Sequence, residues 1–305
     1  MLMSRFSSST WTAAFAPRSG AVTRYGRVAS ALMGVALGAV GCTGNNPSTD
    51  TGVDMALMYS YAPATIRQID TDPGNGPYGN GQRVVLDRVV AVSKVDKYVN
   101  SANQQCRYQI WVQDPACTTE PCGLVVKAIG PMAPSANSSG KDCPSASTSG
   151  TLLATIGRGD NVRVRGRVVV EVDNNPPMSV VEHQLFVETI EALSNDATIT
   201  PKPITDATTI SQFITSQGQT WNKYEGMYVT IQPTSGNLLV TTFNNNGFVT
   251  SPGNSQWGNI FDSDYYPAGA TTFPTVGSMF KSISAVVSTR HGGALEPVRN
   301  KDFVP

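Results

Sequence analysis

Charge is scarce in this sequence. Asp, Glu, Lys and Arg supply 14% of its 305 residues, divided evenly into 22 acids and 22 bases, which disfavours long salt-bridged helices. Histidine is scarcer still: His183 and His291 are the only two, and both read as surface or edge residues, one opening a strand and the other in an Arg-His-Gly-Gly turn. The patterns H-E-x-x-H, G-x-S-x-G and the Walker loop are missing, as is any dense cluster of acids with His or Lys. These gaps leave no basis for metalloprotease, serine hydrolase, nucleotide-loop or nuclease chemistry. The expectation is a non-catalytic protein that uses no cofactor. No apolar run approaches the roughly 20 residues of a membrane-crossing helix either.

The longest apolar segment is instructive. Arg5, Arg18, Arg24 and Arg27 precede Val28–Gly41, 14 residues without charge that stop at Cys42. That arrangement reads as a signal peptide over residues 1–41. Removing the four arginines leaves 18 bases against 22 acids, a charge of about −4 on the remainder, so no broad positive field is available for non-specific attraction to nucleic acid.

Beyond Cys42, cysteine is confined to one third of the chain. The four residues are Cys106, Cys117, Cys122 and Cys143, an even number that export into an oxidising compartment favours as two disulfides. Four cysteines allow three pairings. The short Cys117–Cys122 loop can close on itself, leaving Cys106 to Cys143; a zinc site would want C-x-x-C knuckles, and there are none.

Glycine (28) and proline (20) are plentiful, as are Asn, Ser and Thr, and with period-two patterning they indicate an all-β chain. Val162, Val164, Gly166, Val168, Val170 and Val172 alternate with Arg163, Arg165, Arg167 and Glu171, a strand with one buried face. Val84–Val95, Tyr108–Gln113, Gly123–Ile129 and His183–Ile190 read similarly. Residues 64–195 therefore form one β domain after a tether over 42–63. A Pro/Asp/Thr-rich linker over 196–206 leads to a second β domain, 207–305. The second loosely repeats the first: "ATIRQI" at Ala64–Ile69 is echoed by "TTISQFI" at Thr208–Ile214, and "GDNVRVRGRVVV" from Gly159 by "GSMFKSISAVVS" from Gly277. Two small Greek-key barrels in tandem are the economical architecture, with β-sandwich domains as the alternative. Loops 70–81 and 130–150 are expected to be mobile. The first has the look of a calcium loop but places Gly74 and Gly81 at positions that need carboxylates.

Two resemblances add to this. Ala39-Val40-Gly41-Cys42 resembles the bacterial lipobox, with Ala39 where that family usually has Leu and Leu37 two residues earlier. The resemblance implies that Cys42 carries diacylglycerol, and Thr43-Gly44 after it implies the outer membrane; two or three acyl chains, at about 0.8 kcal/mol per buried methylene, anchor firmly. "TIRQID", "YQIWVQDP", "GDNVRVRGRV" and "ALEPVRNKDFVP" together resemble the OB-fold modules of exported bacterial proteins. That likeness covers residues 64 to 305, with Ala285 in the second copy where the first has Gly166.

Candidate binding residues are few. Arg163, Arg165 and Arg167 could meet phosphates or an acidic partner, and Trp111, Trp257, Tyr265 and Tyr266 could stack on bases or sugars. Asp262 and Asp264 could hold a divalent cation, as a metal-dependent hydrolase accessory domain would require. The leading expectation is a lipid-anchored binding or scaffold protein of the cell envelope that recognises a protein or glycan. The alternative is a single-stranded nucleic-acid or glycan binding module.

Overall fold

The computed structural model describes residues 60–100, 102–117, 119–135, 138, 140–173, 180–214, 222–244, 247–252, 274–288, 294–296 and 302–305. The expected signal peptide and Cys42 lie outside them, as do most of the tether, Trp257, Asp262, Asp264, Tyr265, Tyr266 and His291.

Period-two stretches become strands where expected. In chain order they are β1 (Ala62–Ala64), β2 (Arg83–Ala91), β3 (Asp96–Asn100), β4 (Gln105–Gln113), β5 (Gly123–Met132), β6 (Asn161–Asp173) and β7 (Val180–Ser194). Five of these close a ring. β2 runs antiparallel to β6 (Val84 opposite Gly166) and, at its far end, to β4 (Val90 opposite Gln113). β4 pairs antiparallel with β5, β5 parallel with β7 (Val126 opposite Leu185), and β7 antiparallel with β6. The circuit β2-β4-β5-β7-β6-β2 is a closed OB-like barrel, with β3 added on β4 and β1 on β2.

Inward residues fill it. Val84, Leu86, Tyr108, Ile110, Leu124, Val126, Val162, Val164 and Leu185 share one core with Ile66 and Ile69. Each buried aliphatic side chain contributes about 1.5–3 kcal/mol. Ile66 and Ile69 arrive on α1 (Ile66–Asp70), whose Thr65 and Gln68 form a reciprocal capping box. Gly166 is required by proximity: a Cβ there would lie 2.3 Å from the Phe186 carbonyl oxygen.

The disulfides are Cys106–Cys143, spanning 37 residues, and Cys117–Cys122, spanning 5. The first pins the long loop that sequence composition marks as mobile. Much of that loop is ordered: a 3₁₀ turn at Gly140–Asp142 and α2 (Ala146–Ser149), capped by Ser145, sit there. Tyr108 Oη donates to the Pro144 carbonyl and Lys97 Nζ to that of Cys143, so the loop plugs one end of the barrel.

The second block begins alike. β8 (Lys202–Ile204) lies inside the expected linker and pairs parallel with β9 (Tyr228–Ile231), as β1 pairs parallel with β2. α3 (Ala207–Ile214) stands between β8 and β9. Gly159 and Gly277, the first residues of the echoed motif, both adopt positive φ, 97° and 92°. β10 (Leu238–Asn244), β11 (Gly247–Pro252) and β12 (Met279–Phe280) make a three-stranded sheet. β13 (Ser282–Ser288) joins β9, β14 (Ala294–Glu296) and β15 (Phe303–Val304). Ala285 lies opposite Val229 just as Gly166 lies opposite Val84. Among the described residues this block does not close into a ring, because β9 pairs with β8 and β13 while β10 pairs with β11 and β12.

All described residues fall in one unit, Asp54–Pro305, and the two sheets share packing. Val92, Trp111 and Val125 meet Tyr228 and Val286 in a buried cluster. A Cβ on Gly123 would lie 2.3 Å from the Glu225 carbonyl oxygen, so the two backbones touch.

Removing the Cys106–Cys143 bridge (Cys106→Ala with Cys143→Ala) is expected to cost about 4 kcal/mol, from the loop of 37 residues that it closes. The Cys117–Cys122 pair should cost about 2 kcal/mol for its separation of 5. Urea unfolding of the two double variants at neutral pH measures both.

Candidate ligand-binding face

The arginine stripe does project outward from β6, but it is not a bare row of cations. Arg163 Nε lies 3.0 Å from Asp87 Oδ1 and its Nη1 3.4 Å from Glu191 Oε2. Arg167 is 3.8 Å from Glu188, a carboxylate that also takes the Arg83 Nε at 3.0 Å and the Tyr61 hydroxyl at 2.8 Å. Burial alone would raise the Glu188 carboxyl; the Tyr61 and Arg83 hydrogen bonds outweigh it and hold it below the ordinary value. Three acids, Asp87, Glu188 and Glu191, thus pair with Arg83, Arg163 and Arg167.

Trp111 is corrected from ligand residue to core residue. It is 1% exposed, its backbone N–H donates to Ser93 Oγ, and its ring lies against Val92, Val125, Tyr228 and Val286. A buried indole shared by two sheets has no face to offer a base or sugar.

A different surface gathers aromatic and cationic groups. Tyr98 on β3, Arg107 and Gln109 on β4, Lys127 on β5, and Gln184 and Phe186 on β7 alternate with core residues, so they line the outer face of those strands. The Arg107 guanidinium lies 5.6 Å from the Phe186 ring centroid and the Lys127 ammonium 5.7 Å from that of Tyr98. Lys127 pairs with Glu182 at 3.2 Å, Gln109 donates to Asp96 and Gln184 to Glu171. Burial would lower the Lys127 ammonium, yet the charge of Glu182 outweighs it and keeps the group above its ordinary value. Arg107 is 7% exposed, and its Nε and Nη1 find no acceptor among the described residues. A satisfied core arginine would have one.

None of these residues stands out when the sequence is read alone. The available signal is the run Gln105, Arg107, Gln109, Trp111, Gln113 alternating with Cys106, Tyr108, Ile110 and Val112: a strand whose outer face is polar yet whose burial is nearly complete.

Two other expectations change. His183 is buried, not a surface or edge residue: its Nδ1 lies 3.4 Å from Asp70 Oδ1 and its Nε2 3.2 Å from the Asp72 carbonyl oxygen. The 70–81 loop is ordered, because the Asp72 carboxylate accepts from the backbone N–H groups of Gly74, Gly76 and Tyr78 at 2.8, 3.0 and 3.0 Å. That carboxylate is taken up by three backbone amides. Among the described residues no group of three or more His, Cys, Asp or Glu is placed to hold a metal ion.

The sequence matches no protein-family model and no curated protein. Among solved structures, it is similar to the SSB domain of a protein from Synechococcus sp., with 15% identity, 36% of this chain and 92% of that chain covered, and a TM-score of 0.23. It is also similar to a small single-stranded DNA-binding protein from Streptomyces coelicolor, with 14% identity, 37% and 94% covered and a TM-score of 0.23. The single-stranded DNA binding protein of Thermus aquaticus gives 12% identity, 72% and 92% covered, and a TM-score of 0.25. At such scores the OB-like architecture stands on the strand circuit described above.

Burial alone would raise the Asp72 carboxyl, but the Gly76, Tyr78 and Gly74 hydrogen bonds hold it below the ordinary value. Its stabilisation is present above the unfolded carboxylate range and lost as pH falls through the folded value. Asp72→Asn should lower the melting temperature at neutral pH, and the gap to the parent should close by about pH 2.

Proposed function

We propose that this chain is a non-catalytic binding protein of the bacterial cell envelope, lipid-anchored through Cys42, whose ligand is a single strand of nucleic acid. The observation that carries the ligand is the outer face of β3, β4, β5 and β7, where Tyr98 and Phe186 are overlaid by Lys127 and Arg107. Bases stack on aromatic rings without regard to sequence, and Tyr98 and Phe186, unlike Arg107, are only partly buried. Exposure of the nucleobases, not of the phosphates, is then the recognised feature, because Lys127 already pairs with Glu182. Few counterions would be released, so the salt dependence is shallow.

A glycan is the second reading. It is favoured by the amides Gln109 and Gln184 beside those rings and by the balance of cations with Asp96, Glu171 and Glu182 on the same face. Export and the anchor are supported by the segment that ends at Cys42 and by two disulfides, which belong to an oxidising compartment.

Binding of fluorescent poly-dT and of a neutral oligosaccharide to the mature chain decides between the two ligands. Phe186→Ala should weaken oligonucleotide binding by about tenfold, the loss of roughly one stacked base. The variant Arg163→Ala/Arg165→Ala, which spares the Arg167 that stands opposite Phe186, should change it less than about twofold, since Arg163 is already paired with Asp87 and Glu191. Equal loss in both variants, or binding to the sugar alone, overturns the nucleic-acid reading. Mass spectrometry of the N-terminus, with Cys42→Ala as control, should find an acylated Cys42; an unmodified one removes the anchor.

A further inference from the structure

The strongest feature that the proposed function leaves unused is the buried His183 with the loop it touches. We propose that His183 is a pH-operated latch, which in its doubly protonated form holds the 70–81 loop on the β6–β7 hairpin and releases it at alkaline pH.

The loop is a preformed rigid body. Asp72 gathers three of its amides, and neither Gly76 nor Gly79 has room for a Cβ, which would lie 2.3 Å from Asp72 Oδ2 and 2.5 Å from the Gly74 carbonyl oxygen. It is fastened to the hairpin at two places. At one, the Gly81 N–H donates to the Val168 carbonyl, the Val168 N–H to that of Gln82, and the Val170 N–H to Asn80 Oδ1. At the other stands His183, directly opposite Val170 in the β6–β7 register.

Both ring nitrogens of His183 face oxygens that can only accept: Asp70 Oδ1 at Nδ1 and the Asp72 carbonyl at Nε2. A neutral imidazole carries one N–H, so one nitrogen lone pair would be pressed against an oxygen in a site only 7% exposed. The imidazolium donates to both. The charged groups facing the ring are Asp70, where α1 ends and the loop begins, and Asp72 within the loop. β6 contributes Val170 opposite it, while Glu171 and Glu182 lie on the other face of the hairpin, occupied by Gln184 and Lys127.

Burial by itself would lower the His183 pKa, but the hydrogen bond and charge of Asp70 outweigh it, and the group sits above its ordinary value. The latch is fully closed below the unfolded value of about 6.5 and opens as pH rises through the folded value. With the acid limb set by Asp72, loop order has a bounded pH window. One consequence rests on the proposed function: the far side of the same hairpin carries Phe186, so opening loosens one border of the ligand face.

Amide hydrogen exchange of Gly81, Val168 and Val170, whose N–H groups make the bonds between loop and hairpin, in the full mature chain and corrected for intrinsic rates, tests the latch without any ligand. Protection should fall about tenfold between roughly pH 6 and pH 9 in the parent, whereas His183→Gln should show no such fall. A flat parent profile, or the same fall in His183→Gln, overturns the proposal. If His183→Gln does not fold, Asp70→Asn keeps the ring in place and should move the midpoint to lower pH; an unmoved midpoint overturns the latch equally.

Discussion

The fold depends on one strand doing two jobs. β2 must pair with β6 along its first half and with β4 at its end, or the sheet cannot close. A straight strand presents one partner per edge along its length, so β2 has to bend. It does so at Asp87-Arg88, where the β6 register shifts between Leu86 and Val89 and Arg88 enters the left-handed region at a φ of 57°. That conformation is disfavoured for a residue with a Cβ, and the surrounding ladders hold it there. The bulge turns Asp87 outward to reach Arg163, and the strand beyond it turns Val90 and Ala91 towards β4. Core, plug and outer face all presuppose the closure made at this corner.

The second constraint is the seam between the two blocks. Close packing of backbone on backbone needs glycine on both sides, and Gly123 and Gly226 supply it; Gly226 also takes a φ of 71°. The small Cys117–Cys122 loop reaches across and joins the core that holds Ile204, Met227 and Val229, while Glu120 forms an ion pair with Lys202. Gln113 Oε1 accepts the Tyr228 N–H, the Tyr228 hydroxyl donates to Asp302, and Arg158 lies 4.8 Å from the same ring. Buried polar groups cost stability unless satisfied and fix register when they are. Sliding one sheet on the other would break several of these bonds together, so the seam specifies a single arrangement.

How much of this is legible in the chain depends on the range of each interaction. The alternation Val162, Val164, Val168 is local and announces a strand, and the Cys117–Cys122 pairing is local and announces itself by loop length. Glycine at 159 and 277 marks the same left-handed turn in both blocks. His183 misleads because its partners, Asp70 and Asp72, lie more than a hundred residues earlier, and nothing near it in sequence says it will be buried. Trp111 misleads for a related reason. Its alternation correctly puts it on the outer side of the barrel, but a second sheet covers that side, and no period within one strand reports a neighbouring sheet. The 70–81 loop looks mobile from its glycines, whereas two of them are there to let the chain fold tightly around Asp72.

The electrostatics separate two sets of cations that a count of basic residues would merge. On β6, Arg163 and Arg167 sit beside partly exposed acids, and pairs open to solvent add little stability. On β4 and β5 the cations are almost fully buried and lie over aromatic rings. Desolvated cation–aromatic contacts are stronger than exposed ones and are little screened by salt. Arg107 goes further, since two of its nitrogens have donors left over in a place water does not reach. Leaving such groups unpaired costs about 1–3 kcal/mol. In a chain with so little charge, the few buried cations are the informative ones.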